Sequence, residues 1–192
     1  MLTQRAQQRV VDHADLLYQQ APAIAQRLPE LVDMVCRVIT SGGRLWLLGD
    51  GAAASLAGYG ADILRHGFER QRPGLAAQAL HEVDHDGTRW AATLQALRTP
   101  DDMLLLLSTG HHDEPLVNAV QVAHEQELQL ALLLAGDAPR LLEALLDTDW
   151  CAALPAAHPG AAHLLLLEAL QGLADGLDLQ LLGKDSGHGE YV

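Results

Sequence analysis

The chain has 192 residues, of which 49% are hydrophobic and 19% charged. That balance suits one globular domain and excludes a disordered or fibrous chain, a multidomain assembly and a mini-protein that needs covalent staples. Its 12 lysines and arginines, with Lys184 the only lysine, face 25 aspartates and glutamates for a formal charge of −13, which disfavours direct nucleic-acid binding.

Apolar residues Val10, Val11, Ala14, Leu17 and Tyr18 recur at helical spacing and predict a helix over 3–18, and a second periodic stretch predicts another over 29–40. Ser41-Gly42-Gly43 stops the second helix, and Leu45-Trp46-Leu47-Leu48 is an apolar run of the kind a doubly covered parallel strand shows. Helices are then expected over 53–66, 88–97, 115–126, 139–146 and 159–182, alternating with strands over 76–80, 103–107, 128–134 and 150–154. Strands exchanging with helices imply right-handed crossovers and an α/β three-layer αβα sandwich around a five-stranded parallel sheet, flavodoxin-like and preceded by N-terminal helices. One domain over 1–182, including a helical opening at 1–42, and a small, polar, flexible tail at 183–192 are expected.

Cys36 and Cys151 match no metal or redox spacing and read as two buried thiols in a reducing compartment. The N-terminus lacks a signal peptide's basic-then-apolar order, and apolar runs such as residues 164–167 are too short to span a bilayer. A cytoplasmic protein without membrane contact is the expectation.

Ligands of such sheets gather beyond the carboxyl ends of the strands. After the first strand comes Gly49-Asp50-Gly51-Ala52-Ala53, leading straight into a helix; small residues and unpaired amides at a helix start suit an anion such as phosphate. The same residues also serve a tight strand-to-helix turn. The loop has no Walker ending, and its Ala54 and the lack of an acidic end to the next strand argue against a dinucleotide. After the third strand, Ser108-Thr109-Gly110-His111-His112-Asp113 offers hydroxyls at another helix start, or alternatively a helix capped by Asp113 with Pro115 in its first turn.

Residues 47–55, Phe68-Glu69-Arg70-Gln71-Arg72-Pro73-Gly74-Leu75 and residues 100–109 together resemble the sugar isomerase (SIS) domain of phosphoheptose isomerases and of their relative, the DnaA initiator-associating protein DiaA. The resemblance implies a homodimer or homotetramer assembled through the opening helices, with a sugar phosphate held in serine-rich loops. It also implies departures. Three serine positions are Ala53, Gly110 and Asp113 here. A carboxylate about 4 Å from a bound phosphate would repel it by roughly 1 kcal/mol in water and about 4 at an effective dielectric of 20, and Asp50 adds a further negative charge. Protonated His111 or His112 would offset part of this.

In the isomerases the resemblance also places a zinc, and its ligand positions fall on Tyr59, Ile63, Gly160 and Glu168. Only Glu168 is an ordinary ligand, so no metal and no other cofactor is expected. The segment 81–89 is shorter than its counterpart and lacks an assignable substrate-contacting carboxylate. Glu168, His163 and His111 are the candidates for acid–base chemistry, although His163 matches a non-catalytic histidine. His81-Glu82-Val83-Asp84-His85-Asp86 and the His158/His163 pair offer metal-competent side chains, or else a solvated polar loop and histidines that lie at the surface or cap a helix. The reading as a whole is an oligomeric regulatory or phosphosugar-binding protein, with an initiator protein as candidate partner. A phosphosugar (sedoheptulose 7-phosphate) isomerase with an altered acid–base set is the alternative.

Overall fold

A computed structural model describes residues 1–80, 88–110 and 113–183 of the chain. The elements run α1 (Leu2–Thr40), β1 (Leu45–Gly49), α2 (Ala53–His66), β2 (Ala77–Ala79), α3 (Thr88–Leu97), β3 (Met103–Ser108), α4 (Asp113–Glu125), β4 (Gln129–Ala135), α5 (Pro139–Ala144), β5 (Trp150–Leu154) and α6 (Pro159–Leu182). The five strands lie in the order β2-β1-β3-β4-β5, and every neighbouring pair is parallel. The expected α/β architecture is therefore present. The expected tail beyond Gly183, His111, His112 and the cluster at 81–86 lie outside the described residues.

Because side chains alternate across a strand, one face of the sheet (Leu45, Leu47, Met103, Leu105, Leu133) packs under α1, α2 and α6. The opposite face (Trp46, Leu48, Leu104, Leu106, Leu132) packs under α3, α4 and α5. No described helix is long and apolar enough to cross a membrane.

The opening differs from expectation. One helix of 39 residues replaces the two, with Pro22 and Pro29 inside it, and at 1.5 Å per residue it extends about 58 Å. Proline removes a backbone bond and crowds the preceding turn, which is why the sequence reads as broken. Tertiary contacts override it. Ala23, Ile24 and Leu28 pack against the core, Arg27 donates to the Cys151 carbonyl at 2.7 Å, and its guanidinium lies 5.4 Å from the centre of the Trp150 ring. Trp150 Nε1 in turn donates to Glu30 at 3.0 Å.

Two buried carboxylates fix the connections. Asp102 accepts from Arg44 N at 2.8 Å and Trp46 Nε1 at 2.7 Å, and from Thr99 N and Oγ1 at 3.0 and 2.7 Å, tying β1 to the approach of β3. Asp178 of α6 pairs with Arg72, each almost wholly buried. The same guanidinium donates to the Leu64 carbonyl at 2.6 Å and to Ile63, closing the last turn of α2, while Arg70 donates to Gly183 O at 2.8 Å at the end of α6. The arginines of the 68–75 motif thus hold the α2–β2 connection against α6.

Candidate functional site

The chain steps from β1 outward to β2 and then returns to β3 on the other side of β1. This reversal opens a crevice beyond the carboxyl ends of β1 and β3, the place where ligands of open α/β sheets bind. The first loop singled out in the sequence, 49–53, and the described start of the second, 108–110, are the ones that border it. The register pairs Gly49 with Leu107, so Asp50 and Ser108 come to lie side by side.

Their side chains meet. Ser108 Oγ donates to Asp50 Oδ2 at 3.0 Å, Thr109 N donates to Oδ1 at 3.5 Å, and Ser108 Oγ accepts from Gly110 N at 3.1 Å. Asp50 is 2% exposed, Ser108 fully buried and Thr109 6% exposed. The Asp50 backbone is pinned as well: its amide donates to Leu107 O at 3.3 Å and its carbonyl accepts from Ala53 N at 2.7 Å. A Cβ on Gly49 would lie 2.3 Å from Ala53 O, so the turn into α2 closes only on glycine there. Gly110 adopts φ 78°, and a Cβ on it would lie 2.6 Å from Asp137 N in the loop after β4.

The first loop enters α2 through Ala52, which offers no side-chain cap. Among the described residues, the amides of Gly51 and Ala52 donate to no other backbone group, as an anion cradle requires. Asp113 is the first residue of α4, and the two residues before it lie outside the described ones.

The remaining candidates lie on α2 and α6. Glu168 is exposed and His163 half-buried on α6. Tyr59 Oη accepts from Gln171 Nε2 at 2.9 Å, joining α2 to α6; Ile63 is buried among apolar neighbours; Gly160 has no side chain to contribute. A zinc requires nitrogen, sulfur or carboxylate ligands about 2 Å away in tetrahedral array. A tyrosine engaged with an amide, a buried isoleucine, a glycine and one exposed glutamate do not fit it. No group of three or more histidine, cysteine, aspartate or glutamate side chains converges among the described residues.

His158 caps α6, its Nδ1 accepting from Ala161 N at 3.0 Å. Its ring lies 6.1 Å from that of His13 on α1. The sequence marked His158 as ambiguous and did not single out His13; the contact requires the unbroken α1 to carry His13 as far as the start of α6.

Over 194 aligned residues the chain is 33% identical to the phosphoheptose isomerase of Methylibium petroleiphilum, covering 96% of this chain and 97% of that protein. The chain belongs to the phosphoheptose isomerase family. Phosphoheptose isomerase GmhA of Neisseria gonorrhoeae superposes with a TM-score of 0.80 at 18% identity, over 93% of this chain and 99% of its own. The Vibrio vulnificus NanR protein, solved in complex with ManNAc-6P, superposes with a TM-score of 0.69 at 16% identity, over 93% of this chain and 65% of its own. These two likenesses show the shared SIS fold. No family model matches the chain.

Proposed function

We propose that the protein binds a sugar phosphate in the crevice between β1 and β3 and works as an oligomeric regulatory protein rather than through the metal-assisted isomerisation of its family. Full-length kinship to a phosphoheptose isomerase supports the ligand class. The observation that carries the rest is the Tyr59–Gln171 hydrogen bond. At the position where the resemblance puts a metal-binding histidine, a phenol is instead used to join two helices, and Glu168 is exposed on the single chain. Proton transfer between adjacent carbons needs an acid and a base within hydrogen-bond reach of the substrate, and Asp50 and Ser108, polar side chains at the crevice, are bonded to each other.

A second reading, an aldose–ketose isomerase with a different acid–base set drawn from His163, Glu168 and His111, is favoured by the names its relatives carry. One set of measurements decides. On the first reading, sugar phosphates raise the melting temperature of the protein, because a ligand of the native state alone stabilises it, and sedoheptulose 7-phosphate is not turned over with or without added zinc. Turnover at ordinary enzymatic rates, about 1 per second or more, establishes the second; no shift with any sugar phosphate sinks both. The initiator protein is the partner this reading carries forward, and capture of purified DnaA by the immobilised protein is its direct check.

A further inference from the structure

Resting on the sugar-phosphate reading above, we propose that Asp50 is an internal occupant of the β3 side of the phosphate cradle: its carboxylate sits on the donors that a phosphoryl group would use there, and a ligand reaches them only by displacing it. At the mouth of β3 those donors are a hydroxyl and a backbone amide, Ser108 Oγ and Thr109 N. Both point to the two oxygens of Asp50, at 3.0 and 3.5 Å. A carboxylate presents two acceptor oxygens and a negative charge, as one edge of a phosphate does. With Asp50 at 2% exposure and Ser108 at zero, these donors are closed to solvent while the carboxylate holds them. The Asp50 backbone is fixed at both its amide and its carbonyl, so it is the side chain that a ligand must turn aside.

A neutral side chain of the same shape would leave the clasp weaker and remove the repulsion felt by an incoming dianion. Asp50 is therefore the residue that sets how tightly this family member holds a sugar phosphate. Weak, displaceable binding suits a sensor of ligand concentration.

Calorimetric titration of the full-length protein with sedoheptulose 7-phosphate, and separately with inorganic phosphate, tests this. Asp50→Asn is expected to bind about tenfold tighter than the wild type, Asp50→Ala to shift in the same direction, and Ser108→Ala added to Asp50→Asn to abolish the gain. Melting curves of the free variants check that each is folded, and the alanine variant serves if the asparagine one is not. Equal affinity of wild type and both Asp50 variants overturns the inference and leaves the sugar-phosphate reading standing. A gain that survives Ser108→Ala also overturns it, because the anion then sits elsewhere. Binding by none of the proteins removes the inference and the reading together.

Discussion

At the scale of single residues, buried carboxylates do the joining, and each does so because its acceptors are filled. Asp102 illustrates the electrostatics. Burial alone would push its carboxyl up, but hydrogen bonds from the Thr99 hydroxyl, the Trp46 indole and the Thr99 and Arg44 amides outweigh that and hold it below the ordinary 3.8. A depressed pKa contributes stability that is present above the unfolded-state value and is lost as pH falls through the folded-state value. Replacing Asp102 by alanine strands the indole N–H of Trp46, which has no exposed surface, and should destabilise the protein by about 3 kcal/mol in urea unfolding at pH 7. The stability advantage of wild type over Asp102→Asn should narrow as pH drops below 3.8; an advantage that stays constant to pH 2 would mean that the charge plays no part. The bonds from Arg44 and Trp46 are not visible in the order of residues, since these two meet Asp102 only when β1 and β3 pair.

At the scale of elements, most of the chain was legible. Runs such as Met103–Leu107 are apolar at every position because helices cover both faces of the sheet, and the glycines and prolines between them mark the turns. The loops of the candidate site were found as loops for the same reason: small and hydroxyl residues follow an apolar run and lead into a helix, although a tight turn or a helix cap explains them as well as an anion does. What they do to one another was hidden. Asp50 read as a charge added to the site, whereas the register of β1 against β3 makes it the partner of Ser108. The opening was misjudged at Pro22 and Pro29, where local propensity predicts a break and packing of Ile24 and Leu28 against the core carries the helix through. Pro29 is exposed, so Pro29→Ala should restore a backbone bond without disturbing the interior. A gain of about 2 kcal/mol in unfolding free energy is expected, the helix-interior penalty of proline less its entropic benefit in the unfolded chain. A loss would show that the helix depends on the proline's contacts.

At the scale of the whole molecule, the outer half of α1 is the part that a single chain leaves unfinished. Leu2 is 83% exposed, Val10 69% and Tyr18 84%, an apolar presence unusual for a surface that faces only water. The assembly through the opening helices inferred from the resemblance would cover it, because association of like chains through one patch is the commonest way such a face is buried. Tyr18→Glu, combined with Val10→Glu, should therefore lower the mass measured by light scattering without lowering the helical content; an unchanged mass would place the interface elsewhere.

The stacking of Arg27 on Trp150 has an optical consequence. Of the three tryptophans, Trp46 and Trp90 sit in the interior beneath the opposite layer of helices, while Trp150 lies on the last strand under a guanidinium carried by α1. Its fluorescence is a native gauge of whether the long opening helix is seated on the sheet, readable without any label.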